Sequence, residues 1–120
     1  MVPKLFSFSK EERLSGHTRI SELFSQGRGF VHYPFKVLLV DRPDNPCVKV
    51  LISVPKRIFN KANVRNTLKR RVREAYRINK GILPPEKKID LALIYISKEI
   101  LPYSFIEMKL VETLNRFKSI

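Results

Sequence analysis

The stretch ANVRNTLKRRVREAYRINK, residues 62–80, decides how the rest of this chain is organised. At about 100° per residue, its apolar side chains fall on one face of an α-helix. That face consists of Val64, Leu68, Val72, Ala75 and Tyr76. The opposite arc carries Arg65, Asn66, Lys69, Arg70, Arg73, Arg77 and Lys80. The pattern predicts a helix that packs on a core and presents a row of cations, with Arg71 reaching outward from the apolar side.

Charges of a single sign distinguish this face from an ordinary solvated one. Between Lys56 and Lys80 the chain has ten basic residues and one acidic residue, which is +9 of a total net charge of +13. Like charges at successive helical turns repel each other, so the arrangement costs stability unless an anionic partner neutralises it. A polyphosphate chain is the partner that fits such a row.

Composition limits the class of protein. A chain of 120 residues with 43% hydrophobic content predicts one folded domain over residues 1–120. The single cysteine, Cys47, excludes an internal disulfide and fits a reducing compartment. No apolar run approaches the length of a membrane span or a secretory signal. We therefore expect a cytoplasmic protein that does not bind membranes.

The segment before this helix combines an arm, a helix and two strands. Residues 1–14 lack helical periodicity and predict an extended arm that lays Phe6 or Phe8 on the core. Apolar spacings of three and four predict a helix over residues 17–26, which Gly27 and Gly29 end. Alternating residues predict strands over residues 33–40 and 48–54, joined as a hairpin through the turn-rich residues 41–46.

After the basic helix, one strand and one helix complete the chain. Residues 90–96 form a short apolar run that reads as a buried strand. A last helix opens at Tyr103 or Ser104, and its apolar stripe is Ile106, Leu110, Leu114 and Phe117. The predicted fold is an α+β sandwich of order α-β-β-α-β-α around one small sheet.

Residues with enzyme chemistry form no recognisable catalytic or metal-binding set. His17, His32 and Cys47 lack the spacing of metal ligands. No glycine-rich phosphate loop is present, and the adjacent carboxylates Glu11 and Glu12 fall in the predicted arm. The sequence therefore indicates a binding surface and assigns the protein neither a catalytic residue nor a metal ligand.

One face of the predicted sheet is too polar for a sealed core. It carries Lys36, Leu38, Lys49, Leu51 and Ser53. Beside it, Phe24 and Ile20 share a helix face, and they are either a platform for stacked bases or simply core residues. A half-polar sheet face next to an aromatic helix predicts a cleft.

Three segments share a specific pattern: SVPKR at residues 53–57, VRNTLKR at residues 64–70 and REAY at residues 73–76. In this order they resemble the bacterial ribonuclease P protein component, whose helix carries Arg-Asn-Arg followed by x-Lys-Arg after a strand that ends in a basic pair. Phe8, Arg13 and Leu14, the helix end from Phe24 to Gly27, and Asp90 at the start of the third predicted strand also match in order, so the resemblance spans nearly the whole chain. The chain departs from the motif at Thr67, where the family has its second arginine.

The resemblance implies a protein subunit that assists endonucleolytic removal of the 5′ leader from precursor tRNA, while the RNA subunit performs the hydrolysis. The residues implied to bind the catalytic RNA are Lys56, Arg57, Lys61, Arg65, Asn66, Lys69, Arg70, Arg73 and Arg77. The residues implied to hold the single-stranded leader are Ile20, Phe24, Lys36, Leu38, Lys49 and Ser53. The departure at Thr67 implies that one phosphate contact is weakened or relocated, and that Lys61 of the preceding loop compensates for it.

The resemblance also implies a left-handed strand-helix-strand crossover, one protein per RNA, and Mg²⁺ bound by the RNA and the substrate, with no metal intrinsic to the protein.

Three other functions compete with the one that the resemblance implies. A small ribosomal or other structural RNA-binding protein would share the charge and need no cleft. A helix-turn-helix DNA reader is disfavoured because no helix closely precedes the basic one. A protein-only nuclease lacks convergent carboxylates.

Overall fold

The computed structural model describes residues 8–117. Its first half contains helix α1 (His17–Gln26) and strands β1 (Arg28–His32), β2 (Phe35–Asp41) and β3 (Lys49–Ser53). Its second half contains helix α2 (Ala62–Asn79), strand β4 (Ile89–Tyr95) and helix α3 (Tyr103–Arg116). Short 3-10 turns lie at Lys10–Glu12 and Lys80–Ile82. The α+β class and the three helices are confirmed.

The sheet differs from the prediction in its strand pairing. Its order is β1-β2-β4-β3, so the predicted hairpin between the strands now labelled β2 and β3 is wrong. Strand β4 lies between them, antiparallel to β2 and parallel to β3. All seven β4 residues are buried. Because such a strand is apolar on both of its sides, a central position in the sheet removes the most apolar surface from water. The β3-α2-β4 connection joins adjacent parallel strands, and its left-handed sense stays a prediction.

Strand β1 was missed because its glycine reads as a helix stop. Gly27 does end α1, with its N–H donating to the Leu23 carbonyl, and the chain then turns directly into β1. In β1, Gly29 pairs with Leu38 of β2. A Cβ at residue 29 would lie 1.9 Å from the Val37 carbonyl oxygen, so this close strand approach requires glycine. The true hairpin is β1-β2.

The two faces of the sheet are covered unequally. Helices α2 and α3 cover one face, where the large core includes Phe35, Leu68, Leu93 and Tyr76. Helix α1 covers part of the other face, where Leu14, Leu23, Ala92 and Ile94 form a smaller cluster. In β2, alternate residues Phe35, Val37 and Leu39 are buried, so the period-two pattern predicted the buried side of this strand correctly.

The N-terminal arm is only partly extended. Phe8 packs edge-on against Tyr76 with ring centroids 5.7 Å apart, as predicted, whereas Phe6 lies outside the described residues. Residues Lys10–Glu12 form a 3-10 turn, which corrects the prediction of an extended segment throughout. Arg13 then bridges to Val50, so the arm covers part of the outer edge of β3.

Among residues 8–117, Asp90 carries the one fully buried charge, and its carboxylate lies in the central strand of the sheet. It accepts hydrogen bonds from Arg19 of α1 at 2.7 Å, from Arg42 at 3.2 Å and from Asn45 at 2.9 Å. Arg42 also pairs with Glu22 of α1. This network ties α1 and the β2-β3 loop to the central strand.

We expect Asp90→Asn to lower the free energy of unfolding by about 3 kcal/mol, because it removes one partner of a buried ion pair. Urea unfolding measures the loss. Asp44→Asn is the matched control on the same loop, where the aspartate is exposed, and its effect stays within about 0.5 kcal/mol. Equal stability of the two variants would contradict the role of the network.

Candidate nucleic-acid interface

The outward face of α2 carries a row of cations, which we call the cationic face. Asn66, Arg70 and Arg73 are exposed on it. Lys69 is half-buried beside them, and Arg73 lines a small pocket together with Phe8 and Arg13 of the arm. The guanidinium of Arg13 sits 5.4 Å from the centre of the Phe8 ring, which places another cation beside the face.

Several cations of α2 are engaged within the fold. Arg65 donates from Nη1 to the carbonyl oxygens of Phe59 at 2.8 Å and Asn60 at 2.9 Å. Arg77 pairs with Glu74 at 2.5 Å, and this hydrogen bond holds the pKa of Glu74 below its ordinary value. Arg71 donates to the Leu101 carbonyl at 2.6 Å, as expected for a side chain that leaves the apolar sector.

Two further positions, one on α2 and one directly after it, affect the predicted row of cations. Lys80, predicted on the cationic arc, forms a mostly buried ion pair with Glu12 at 2.5 Å, so that placement is wrong. Thr67 donates its hydroxyl to the Asn63 carbonyl at 3.0 Å. The hydroxyl is thus turned back onto its own helix.

The uncovered part of the second sheet face forms a groove, which we call the sheet cleft. Lys36, Ile94 and Ser53 stand side by side across β2, β4 and β3. The cleft has a volume of about 370 Å³, and its lining is Phe24, Lys36, Leu38, Ser53, Pro55, Arg57, Ile94 and Ile96. Phe24, at the end of α1, is 48% exposed and forms one wall.

The structure brings together four of the six residues predicted for the cleft. Phe24, Lys36, Leu38 and Ser53 line it. The sequence left open whether Phe24 and Ile20 form a platform or belong to the core. Ile20 packs against the smaller core cluster, whereas Phe24 is exposed in the wall of the cleft. Lys49 is not a lining residue, because its ammonium donates to the Glu11 carbonyl at 2.7 Å.

Sequence reasoning missed four lining residues of the sheet cleft. Ile94 and Ile96 read as members of a fully buried strand, and Pro55 as a strand stop. Arg57 was assigned only to the basic loop, yet it lines the cleft as well. Because Lys56 and Lys61 are exposed in this same loop, cations continue from the cleft to the start of α2.

Within residues 8–117, no three His, Cys, Asp or Glu side chains are grouped so as to hold a metal ion. None of the helices there is both long and apolar enough to cross a membrane.

A cationic helix face joined to an open cleft with an aromatic wall defines the class of nucleic-acid-binding α+β proteins. A family model described as Ribonuclease P matches residues 8–118. The chain therefore belongs to the ribonuclease P protein family, the protein components of an endoribonuclease holoenzyme that matures the 5′ end of tRNA. This membership confirms the resemblance and implies association with ribonuclease P RNA.

Individual relatives agree with this assignment. The ribonuclease P protein component of Porphyromonas gingivalis is 35% identical over 121 residues, which is 95% of this chain and 88% of that protein. The Thermotoga maritima protein is 39% identical over 88 residues, or 73% of this chain and 72% of its own. A solved structure of the T. maritima protein superposes with a TM-score of 0.75 at 30% identity, covering 88% of this chain and 96% of that one. A solved structure of the Staphylococcus aureus ribonuclease P protein superposes with a TM-score of 0.74, covering 91% of this chain and 96% of that one. At 19% identity, this likeness shows the fold alone.

We expect Arg65→Ala to lower the free energy of unfolding by about 1.5 kcal/mol, because it removes two charged hydrogen bonds to the loop before α2. Urea unfolding checks this. Arg70→Ala is the matched control, because it removes an exposed cation from the same helix. We expect the free energy of unfolding of this variant to stay within about 0.5 kcal/mol of the parent. Equal stability of the two variants would show that the hydrogen bonds of Arg65 to the loop do not stabilise the fold.

Proposed function

We propose that the cationic face of α2 docks on the catalytic ribonuclease P RNA and that the sheet cleft holds the single-stranded 5′ leader of precursor tRNA. The observation that carries the proposal is the cleft itself. It has an exposed aromatic wall in Phe24 and a cation on each side, Lys36 and Arg57. A structural RNA-binding protein needs the cationic face and has no use for such a groove.

The cationic face suits a partner that is recognised by its backbone. Arg70 and Arg73 are exposed cations on a rigid helix, and Lys69 lies beside them. Contacts from such side chains to phosphates position a partner and carry little sequence information. The RNA subunit and the substrate bind Mg²⁺, the RNA subunit performs the hydrolysis, and one protein positions each RNA.

The sheet cleft suits a strand whose bases vary from one substrate to the next. Phe24 supplies a ring on which any base stacks, because every base has an aromatic face. Ile94 and Ile96 supply an apolar floor, while Lys36 and Arg57 neutralise the strand's phosphates. The arrangement gives affinity for single strands without requiring one leader sequence.

Reconstitution tests the proposal directly. We expect the protein to stimulate cleavage of 5′-labelled precursor tRNA by a bacterial ribonuclease P RNA at low Mg²⁺, with the cut at the mature 5′ end. The protein alone cleaves nothing. RNA binding without stimulation would instead indicate a structural RNA-binding protein, and cleavage by the protein alone would indicate an active site within it.

The cleft is tested by the double variant Phe24→Ala with Lys36→Ala. We expect its holoenzyme to bind leader-bearing precursor about tenfold more weakly, the scale of one lost stacking contact, and to bind mature tRNA as the parent does. Met108→Ala with Lys10→Ala is the matched control, because it also removes one exposed apolar and one exposed basic side chain. An equal loss for precursor and mature tRNA would refute leader binding in the cleft.

A further inference from the structure

We propose that a second pocket, at the N-terminal end of α2, receives an unpaired nucleobase of the ribonuclease P RNA. We call it the tip pocket. Its volume is about 150 Å³, and its lining is Ile58, Phe59, Asn60, Lys61, Val64 and Ile100. It shares no lining residue with the sheet cleft. The proposal rests on the docking of α2 on that RNA.

Apolar side chains meet at the surface in this pocket. Ile100 is 54% exposed, and Ile58, Phe59 and Val64 around it are only half-buried. One side of Phe59 packs against Tyr95, with ring centroids 6.1 Å apart. Single exposed apolar residues are ordinary, but a cluster of four around a concavity marks a surface that gains free energy when it is covered.

Both walls of the tip pocket are held in place by hydrogen bonds. Arg65 fixes the Phe59 and Asn60 carbonyls on one side. On the other side, the Tyr95 hydroxyl donates to the Glu99 carbonyl and accepts from the Leu101 N–H at 3.2 Å, so it holds the chain on both sides of Ile100. A binding surface that is already ordered loses little entropy when a ligand enters.

The charge around the pocket selects its occupant. Residues 56–65 contain Lys56, Arg57, Lys61 and Arg65 and no acid, while Lys98 offsets Glu99 beside Ile100. An apolar floor with Lys61 in its lining and further cations along the same loop matches a nucleotide, which joins a flat apolar base to an anionic phosphate. The exposed amide of Asn60 makes no hydrogen bond within residues 8–117, so it is available to a base edge. Inside a helix, stacking covers the faces of a base and pairing occupies its Watson–Crick edge, so the base must be unpaired and unstacked.

The absence of tryptophan from the chain allows a direct test. Phe59→Trp places the only indole of the protein in the tip pocket, and Met108→Trp places it at an exposed apolar position on α3 as the control. Each variant is titrated with ribonuclease P RNA and with a fully paired RNA duplex, and filter retention measures binding in parallel. We expect the RNA to quench the emission of Phe59→Trp as it saturates, with no quenching by the duplex or in the control.

The possible results separate the pocket from the proposed function. Binding of the RNA without quenching of Phe59→Trp, or equal quenching by the duplex, would overturn the tip pocket and leave the docking of α2 intact. Failure of every variant and of the parent protein to bind the RNA would overturn the docking of α2, and the tip pocket with it.

A second variant tests the pocket without a new side chain. Because Ile100 is exposed, Ile100→Ala keeps the fold, which thermal unfolding verifies. We expect it to weaken RNA binding by about fivefold, the low end of a stacking contribution, with an unchanged dependence on salt. Lys61→Ala instead reduces the slope of log affinity against log salt by about 1. Affinity of Ile100→Ala equal to that of Met108→Ala would overturn the proposal.

Discussion

Burial of strand β4 on both of its faces is the constraint on which the rest of the structure depends. The strand is apolar at every position except Asp90, so it needs cover above and below the sheet. Helices α2 and α3 cover one face, where the large core lies. Helix α1 is about 15 Å long, whereas β2 runs for about 23 Å, so part of the second face stays open. The cleft is therefore what remains when a short helix covers a longer sheet.

The position of α1 depends on the buried charge of that strand. Arg19 and Arg42 both reach Asp90, and Arg42 also pairs with Glu22 of α1. Hydrogen bonds to a buried carboxylate are directional, unlike the apolar packing of Leu23. The network thereby fixes where the end of α1, and with it Phe24, stands relative to the sheet.

The cations of the chain have two separate uses. Arg65 and Arg71 tie loops to α2, and Lys80 holds the N-terminal arm through Glu12. Arg70 and Arg73 remain exposed at the surface, where a bound polyanion would relieve the repulsion between them. A helix can thus be rich in arginine for stability and for binding at once, and only the contacts of each side chain distinguish the two.

The sequence by itself determined the local features of this protein. The bounds of α1, the apolar face of α2 and the buried side of β2 follow from periodicities of 3.6 and 2 residues, and the motif over residues 53–76 indicated the family. Tertiary structure alone decided that β4 separates β2 from β3, that Gly29 belongs to a strand, and that Lys49 and Lys80 turn to Glu11 and Glu12. It also brought Ile100 beside Phe59. The physical reason is that periodicity specifies which face of an element is buried, whereas the identity of its neighbour depends on contacts between residues far apart in the chain.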